Sequence, residues 1–107
     1  MSLESQAAYD AVVSEMVATS PTTSGKMFGM PCLKNSNGKA YAGFFEDSMV
    51  FKLGGTSHAE ALALSEATLF DPAGGRPMRE WVVVPVEHSS RWLEFARDAF
   101  DYVTTKK

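Results

Sequence analysis

Phe70-Asp71-Pro72-Ala73-Gly74-Gly75-Arg76-Pro77-Met78-Arg79-Glu80-Trp81-Val82-Val83-Val84-Pro85 joins a Pro/Gly-rich turn carrying two arginines to a dense apolar strand. The Val-Val-Val run suits a sheet interior, because β-branched side chains pack well on a pleated surface. The spacing predicts a strand over 78–86. It echoes an earlier run, Met27-Phe28-Gly29-Met30-Pro31-Cys32-Leu33.

Working outward, residues 48–53 form a second clear strand. Met49, Phe51 and Leu53 share one face there, and Val50 and Lys52 the other. Residues 39–45 precede it across the short turn Glu46-Asp47. Asn35-Ser36-Asn37-Gly38 signals a hairpin, since Asn-Gly tolerates positive φ. Residues 26–33 read as one short apolar strand, and Gly29 and Pro31 suit an edge or a bulge. Thr22 to Gly25 reads as a polar link.

Three helices complete the pattern. Residues 3–19 carry Tyr9, Val12, Val13, Met16 and Val17 at helical spacing, and Ser20-Pro21 ends the run. After Gly54-Gly55, Ser57 and Glu60 fit a capping box for a helix reaching about Glu66. Residues 68–70 read as a short extended segment. Ser89 or Ser90 is the expected cap of a last helix whose Trp92, Phe95, Ala96, Ala99, Phe100 and Val103 form an apolar stripe. The order is helix, three strands, helix, two strands, helix. Tight hairpins force antiparallel pairing. The fold class is therefore α+β: an antiparallel sheet in two layers, with the helices on one face.

At 107 residues the chain is read as one domain, residues 1–107. No apolar run approaches the ~18 residues of a membrane span. The N-terminus is polar and acidic and has no signal-peptide pattern. One cysteine, Cys32, precludes an internal disulfide and fits a reducing cytoplasm, the expected location. The net charge of −3 argues against direct nucleic-acid binding, which rests on neutralising phosphates. The charge is uneven. Glu4, Asp10 and Glu15 stand without a base before residue 26, whereas Lys26, Lys34, Lys39 and Lys52 dominate residues 26–57.

Several motifs carry a family resemblance. They are Met27-Phe28-Gly29, Asn37-Gly38-Lys39 with Tyr41-Ala42, Val50-Phe51-Lys52-Leu53, and Phe70 through Pro85. Over about residues 9–103 the chain resembles the TfoX/Sxy N-terminal domain family. That resemblance implies a small α+β fold similar to the YjbR-like and secretion-chaperone-like folds. Longer members regulate natural competence and add a C-terminal helical domain of helix-hairpin-helix character. This sequence ends at Lys107 without one, so a stand-alone domain is expected, and the role in competence does not transfer directly. The family supplies no established active site to place on these positions.

Recognisable catalytic patterns are missing. Cys32 as a nucleophile or redox thiol has no Cys-x-x-Cys partner, and a small apolar strand residue is the simpler reading. His58 and His88 fall at helix starts and form no metal-ligand spacing, so no metal is expected. Gly54-Gly55 before a helix lacks the rest of a phosphate-binding loop. No cofactor box is present. Lys39-Ala40-Tyr41-Ala42-Gly43-Phe44-Phe45 only faintly resembles an aromatic RNA-binding strand.

The remaining candidates are Arg76, Arg79 and Trp81, with Lys52. Arg and Trp are favoured at binding hot spots and anion sites. Against this stands an Arg paired with Asp71 or Glu80 and a Trp in the core. The leading expectation is a non-enzymatic, cytoplasmic interaction module that binds a protein partner, in a regulatory role as the resemblance implies. The alternative is a small-ligand or anion-binding domain using Arg76, Arg79 and Lys52. An enzyme using Cys32 or a histidine ranks third. Short strand edges make a homodimer a further expectation.

Overall fold

The computed structural model describes residues 3–27, 29–71, 74–75 and 77–105. Helix α1 (Leu3–Thr19) leads into strands β1 (Thr22–Met27), β2 (Met30–Asn35), β3 (Ala40–Phe45) and β4 (Ser48–Lys52). Helix α2 (Gly55–Leu62), β5 (Thr68–Phe70), β6 (Met78–Pro85), a 3-10 turn (Val86–Arg91) and α3 (Trp92–Thr105) follow. The fold is α+β, with one six-stranded antiparallel sheet ordered β1-β2-β3-β4-β6-β5.

The class is the expected one, with one more strand. The run expected as a single strand over 26–33 is two strands in a hairpin. Gly29 adopts φ +75°, and Met27 pairs with Met30 across the reversal. Thr22 to Gly25, expected as a link, is hydrogen-bonded strand. It lies on the sheet edge, where neither face is fully buried, so no apolar alternation marks it. The Asn35–Gly38 hairpin forms as read. Asn35 Oδ1 accepts the backbone N–H groups of Asn37 and Lys39, each at 3.0 Å.

The helices pack on one sheet face. Tyr9, Val12 and Met16 of α1 and Phe95, Ala96, Ala99 and Val103 of α3 form one core with Leu33, Phe44, Met49, Phe51, Val82 and Val84. Leu33 pairs with Ala42 but Lys34 pairs with Ala40, so β3 carries one extra residue, Tyr41. This bulge lets both Tyr41 and Ala42 join the helix-side core. There the Tyr41 ring meets Phe100 of α3 edge-on at 5.4 Å. Trp92 is fully buried, and its indole N–H donates to Val84 O at 3.1 Å.

The opposite face bears no helix, yet it closes on itself. Met30, Val50, Phe70 and Trp81 are buried there, with Met27, Phe45, Met78 and Val83 packed around them. Phe45 and Phe70 meet edge-to-face at 5.1 Å.

Two helix starts differ from expectation. Helix α2 begins at Gly55 after Gly54, with no side-chain cap, and it ends at Leu62. Ser57 caps nothing because its hydroxyl donates to Asp98 Oδ2 of α3 at 2.9 Å. Neither Ser89 nor Ser90 caps α3, since both lie inside the 3-10 turn that feeds it.

Gly54 sits directly under the Tyr102 ring. A Cβ built there would lie 2.4 Å from Tyr102 Cε1. Its φ of −143° suits any residue, so the contact alone requires glycine. We expect Gly54→Ala to destabilise the chain by about 1–3 kcal/mol through overpacking. The urea midpoint should fall with an unchanged m-value, and an unchanged midpoint would contradict the contact.

Candidate functional site

The candidate residues gather at one corner of the sheet. It is built from the end of β4, the start of β6, the start of α2 and the C-terminal half of α3. Lys52 closes β4 and pairs in register with Trp81 of β6. Opposite residues of an antiparallel pair share a face, so Lys52 and Trp81 lie together on the helix-free side. Trp81 is 6% exposed, which makes its ring part of the packing and not an offered stacking platform. Lys52 is half-buried and Arg79 exposed. Arg76 lies outside the described residues.

The polar groups at this corner are engaged. His58 Nε2 lies 2.7 Å from Arg79 O. A carbonyl only accepts, so Nε2 carries the proton and His58 fastens α2 to β6. The Tyr102 hydroxyl donates to Glu80 Oε2, and Leu53 N–H donates to Glu80 O at 2.8 Å. With the Ser57–Asp98 bond, these contacts tie β4, α2, β6 and α3 together. Among the described residues the hydroxyls of this corner are taken up in bonds between elements, Ser57 to Asp98 and Tyr102 to Glu80. The corner is a structural joint with cations at its margin.

The other chemical candidates are also accounted for. His88 Nε2 is 2.9 Å from Ser65 O, which pins the 3-10 turn to the loop after α2. Cys32 is fully buried in β2, and burial pushes its thiol above the ordinary range, with Lys34 pulling weakly the other way. Nε2 of each histidine instead binds a backbone carbonyl, His58 that of Arg79 and His88 that of Ser65. The described residues do not group three or more His, Cys, Asp or Glu side chains in a way that could hold a metal.

A pattern that residue-by-residue reading missed is the separation of charge between layers. The helices carry Glu4, Asp10, Glu15, Glu60, Glu94, Asp98 and Asp101. Their cationic partners are Arg97, bonded to Glu15 at 3.3 Å, and Arg91, which bridges Glu94 at 2.7 Å and Glu60 at 3.4 Å. The strands carry Lys26, Lys34, Lys52 and Arg79, and Glu80 is the strand carboxylate among the described residues. None of those four strand cations lies within ion-pair distance of a described carboxylate. The linear sequence hints at this in its lysine-rich middle. Only the sheet order assembles the cations into one layer.

No helix among the described residues is long and apolar enough to cross a membrane. Comparison with protein-family models, curated proteins and solved structures finds no match for this chain.

Two measurements check this description. Thiolate is the reactive form, and burial holds Cys32 as the thiol. Ellman's reagent should therefore label Cys32 only as fast as the chain opens. Prompt labelling of the native protein would contradict its burial. Burial also raises the phenol pKa values of Tyr9 and Tyr41. In the unfolded chain these phenols ionise near the ordinary value of about 10. Their contribution is therefore fully present below about pH 10 and lost as pH rises beyond it. The raised Cys32 thiol acts earlier by the same rule, so urea midpoints should start to fall above about pH 8.5 and fall more steeply above about pH 10, with ultraviolet titration showing these two phenols ionising late.

Proposed function

We propose that the chain is a non-enzymatic interaction module whose cationic sheet layer engages a protein partner. The observation that carries this reading is the separation of charge. Lys26, Lys34, Lys52 and Arg79 stand on the strands without described carboxylate partners, while the helical layer is acidic. Such a polarised surface orients an approaching acidic protein and speeds association. The engaged polar groups at the β4–β6 corner support a binding role over catalysis. The resemblance to TfoX/Sxy N-terminal domains supports a regulatory role, the lone cysteine fits the cytoplasm, and the net charge of −3 favours a protein partner over direct contact with nucleic acid.

A second reading has one observation in its favour. Lys52 pairs across the ladder with Trp81, and Arg79 lies two residues before Trp81 on the same strand and so on the same face. A small anion held there would have two cations beside an apolar wall, with Arg76 as a further candidate donor.

Affinity capture from a cell extract, quantified for the wild type and for Lys52→Glu combined with Arg79→Glu, separates these ideas. The partner reading expects one reproducible partner, with the double variant losing on the order of tenfold in association rate as salt-sensitive steering reverses. Both residues lie outside the main core, so the urea midpoint should stay near the wild-type value. A partner held equally well by the double variant would contradict the reading. The anion reading expects inorganic phosphate to raise the melting temperature. Saturation at about 100-fold over the dissociation constant stabilises by about 2.7 kcal/mol. An unmoved melting curve at high phosphate would remove it.

A further inference from the structure

We propose that β1 is the docking edge for an extended acidic segment of a partner protein. The segment would add to the sheet as another strand and set two consecutive carboxylates against Lys26 and Lys34. This rests on the reading of the chain as an interaction module and names the class of partner.

The edge is open. β1 hydrogen-bonds to β2 on one side and ends the sheet on the other. It offers six residues, whereas the other edge strand, β5, has only three. Thr23, Ser24 and Lys26 are exposed, so an incoming backbone meets polar side chains and unpaired strand groups. Such an edge is a template for β-strand addition.

The charges at the edge select the occupant. Gly25 pairs with Cys32, and Thr23 with Lys34, so Lys34 shares a face with Gly25 and Thr23. The Lys34 side chain lies across Gly25. A Cβ placed there would come 3.0 Å from Lys34 Cε and 3.3 Å from Nζ. The missing side chain thus lets the ammonium of an inner strand reach the edge strand. Lys26, the next residue, points to the other face. A strand laid along β1 therefore meets one ammonium on each of its faces, at neighbouring positions. Alternation then demands two adjacent acidic residues in the partner.

The same charges work against a second copy. Pairing β1 with β1 of another molecule would bring the Lys26 and Lys34 ammonium groups of both chains to one seam. Like charges directly opposed in a sheet are destabilising. A lysine-bearing edge thus rejects itself and accepts carboxylates.

The test uses the full chain labelled with nitrogen-15 and a panel of octapeptides of Thr and Val with a Glu-Glu pair at each register. At low salt, at least one register should give saturable shifts of the Thr22–Met27 amides. Affinity should fall about tenfold on Lys34→Gln or Lys26→Gln, with urea midpoints unchanged. The Lys-Lys version of the best peptide, and the version N-methylated along its pairing edge, should not bind. The proposal is overturned if no register shifts β1, or if binding survives N-methylation or both lysine substitutions. It is also overturned if light scattering shows that the chain pairs with itself through this edge. If β1 variants leave capture of the natural partner intact while Lys52→Glu with Arg79→Glu abolishes it, the module reading stands and the edge assignment falls.

Discussion

The pairing of β4 with β6 is the constraint on which the rest depends. These strands are far apart in sequence, and their register aligns Val50 with Val83 and Phe51 with Val82. It joins the β1–β4 meander to the β5–β6 hairpin. It also assigns every side chain of both strands to a layer. Met49, Phe51, Val82 and Val84 face the helices, while Val50 and Trp81 close the other side. A slip of one residue would exchange these sets. The ladder continues beyond the strand, with Leu53 N–H donating to Glu80 O. The Tyr102 ring then seals the end by packing on Gly54 while its hydroxyl holds Glu80.

That register also decides what the corner can do. It sets Lys52 beside Trp81 and turns the Glu80 side chain toward α3. There the Glu80 carboxylate accepts the Tyr102 hydroxyl. Arg91 and Arg97 are committed in turn to helix carboxylates. What is left over is positive on the strands and negative on the helices. The charge asymmetry follows from which acids the packing uses, not from net composition, which is acidic.

Much of the sheet is legible in the sequence because its local rules agree with its tertiary role. Residues 39–45, 48–53 and 78–86 alternate or run apolar, and Asn35–Gly38 has hairpin chemistry. β1 is illegible for a physical reason. Thr-Thr-Ser-Gly lies at an edge where neither face is fully buried, so burial imposes no pattern on it. The capping box at Ser57 fails because the hydroxyl has a better partner in Asp98, distant in sequence. Tyr41 and Ala42 share a face only because of a bulge. At the site, Lys52 and Trp81 were readable as candidates, but their adjacency comes from the long-range register. The passage of Lys34 over Gly25 has no sequence signature at all.

A sheet closed at β4–β6 and, among the described residues, open at β1 should be visible residue by residue in amide hydrogen exchange. Exchange in β4 and β6 should require global unfolding, whereas alternate amides of β1, those aimed away from β2, should exchange at near-solvent rates. Uniform protection along Thr22–Met27 matching that of Met49–Phe51 would show the edge already covered. It would contradict the open edge.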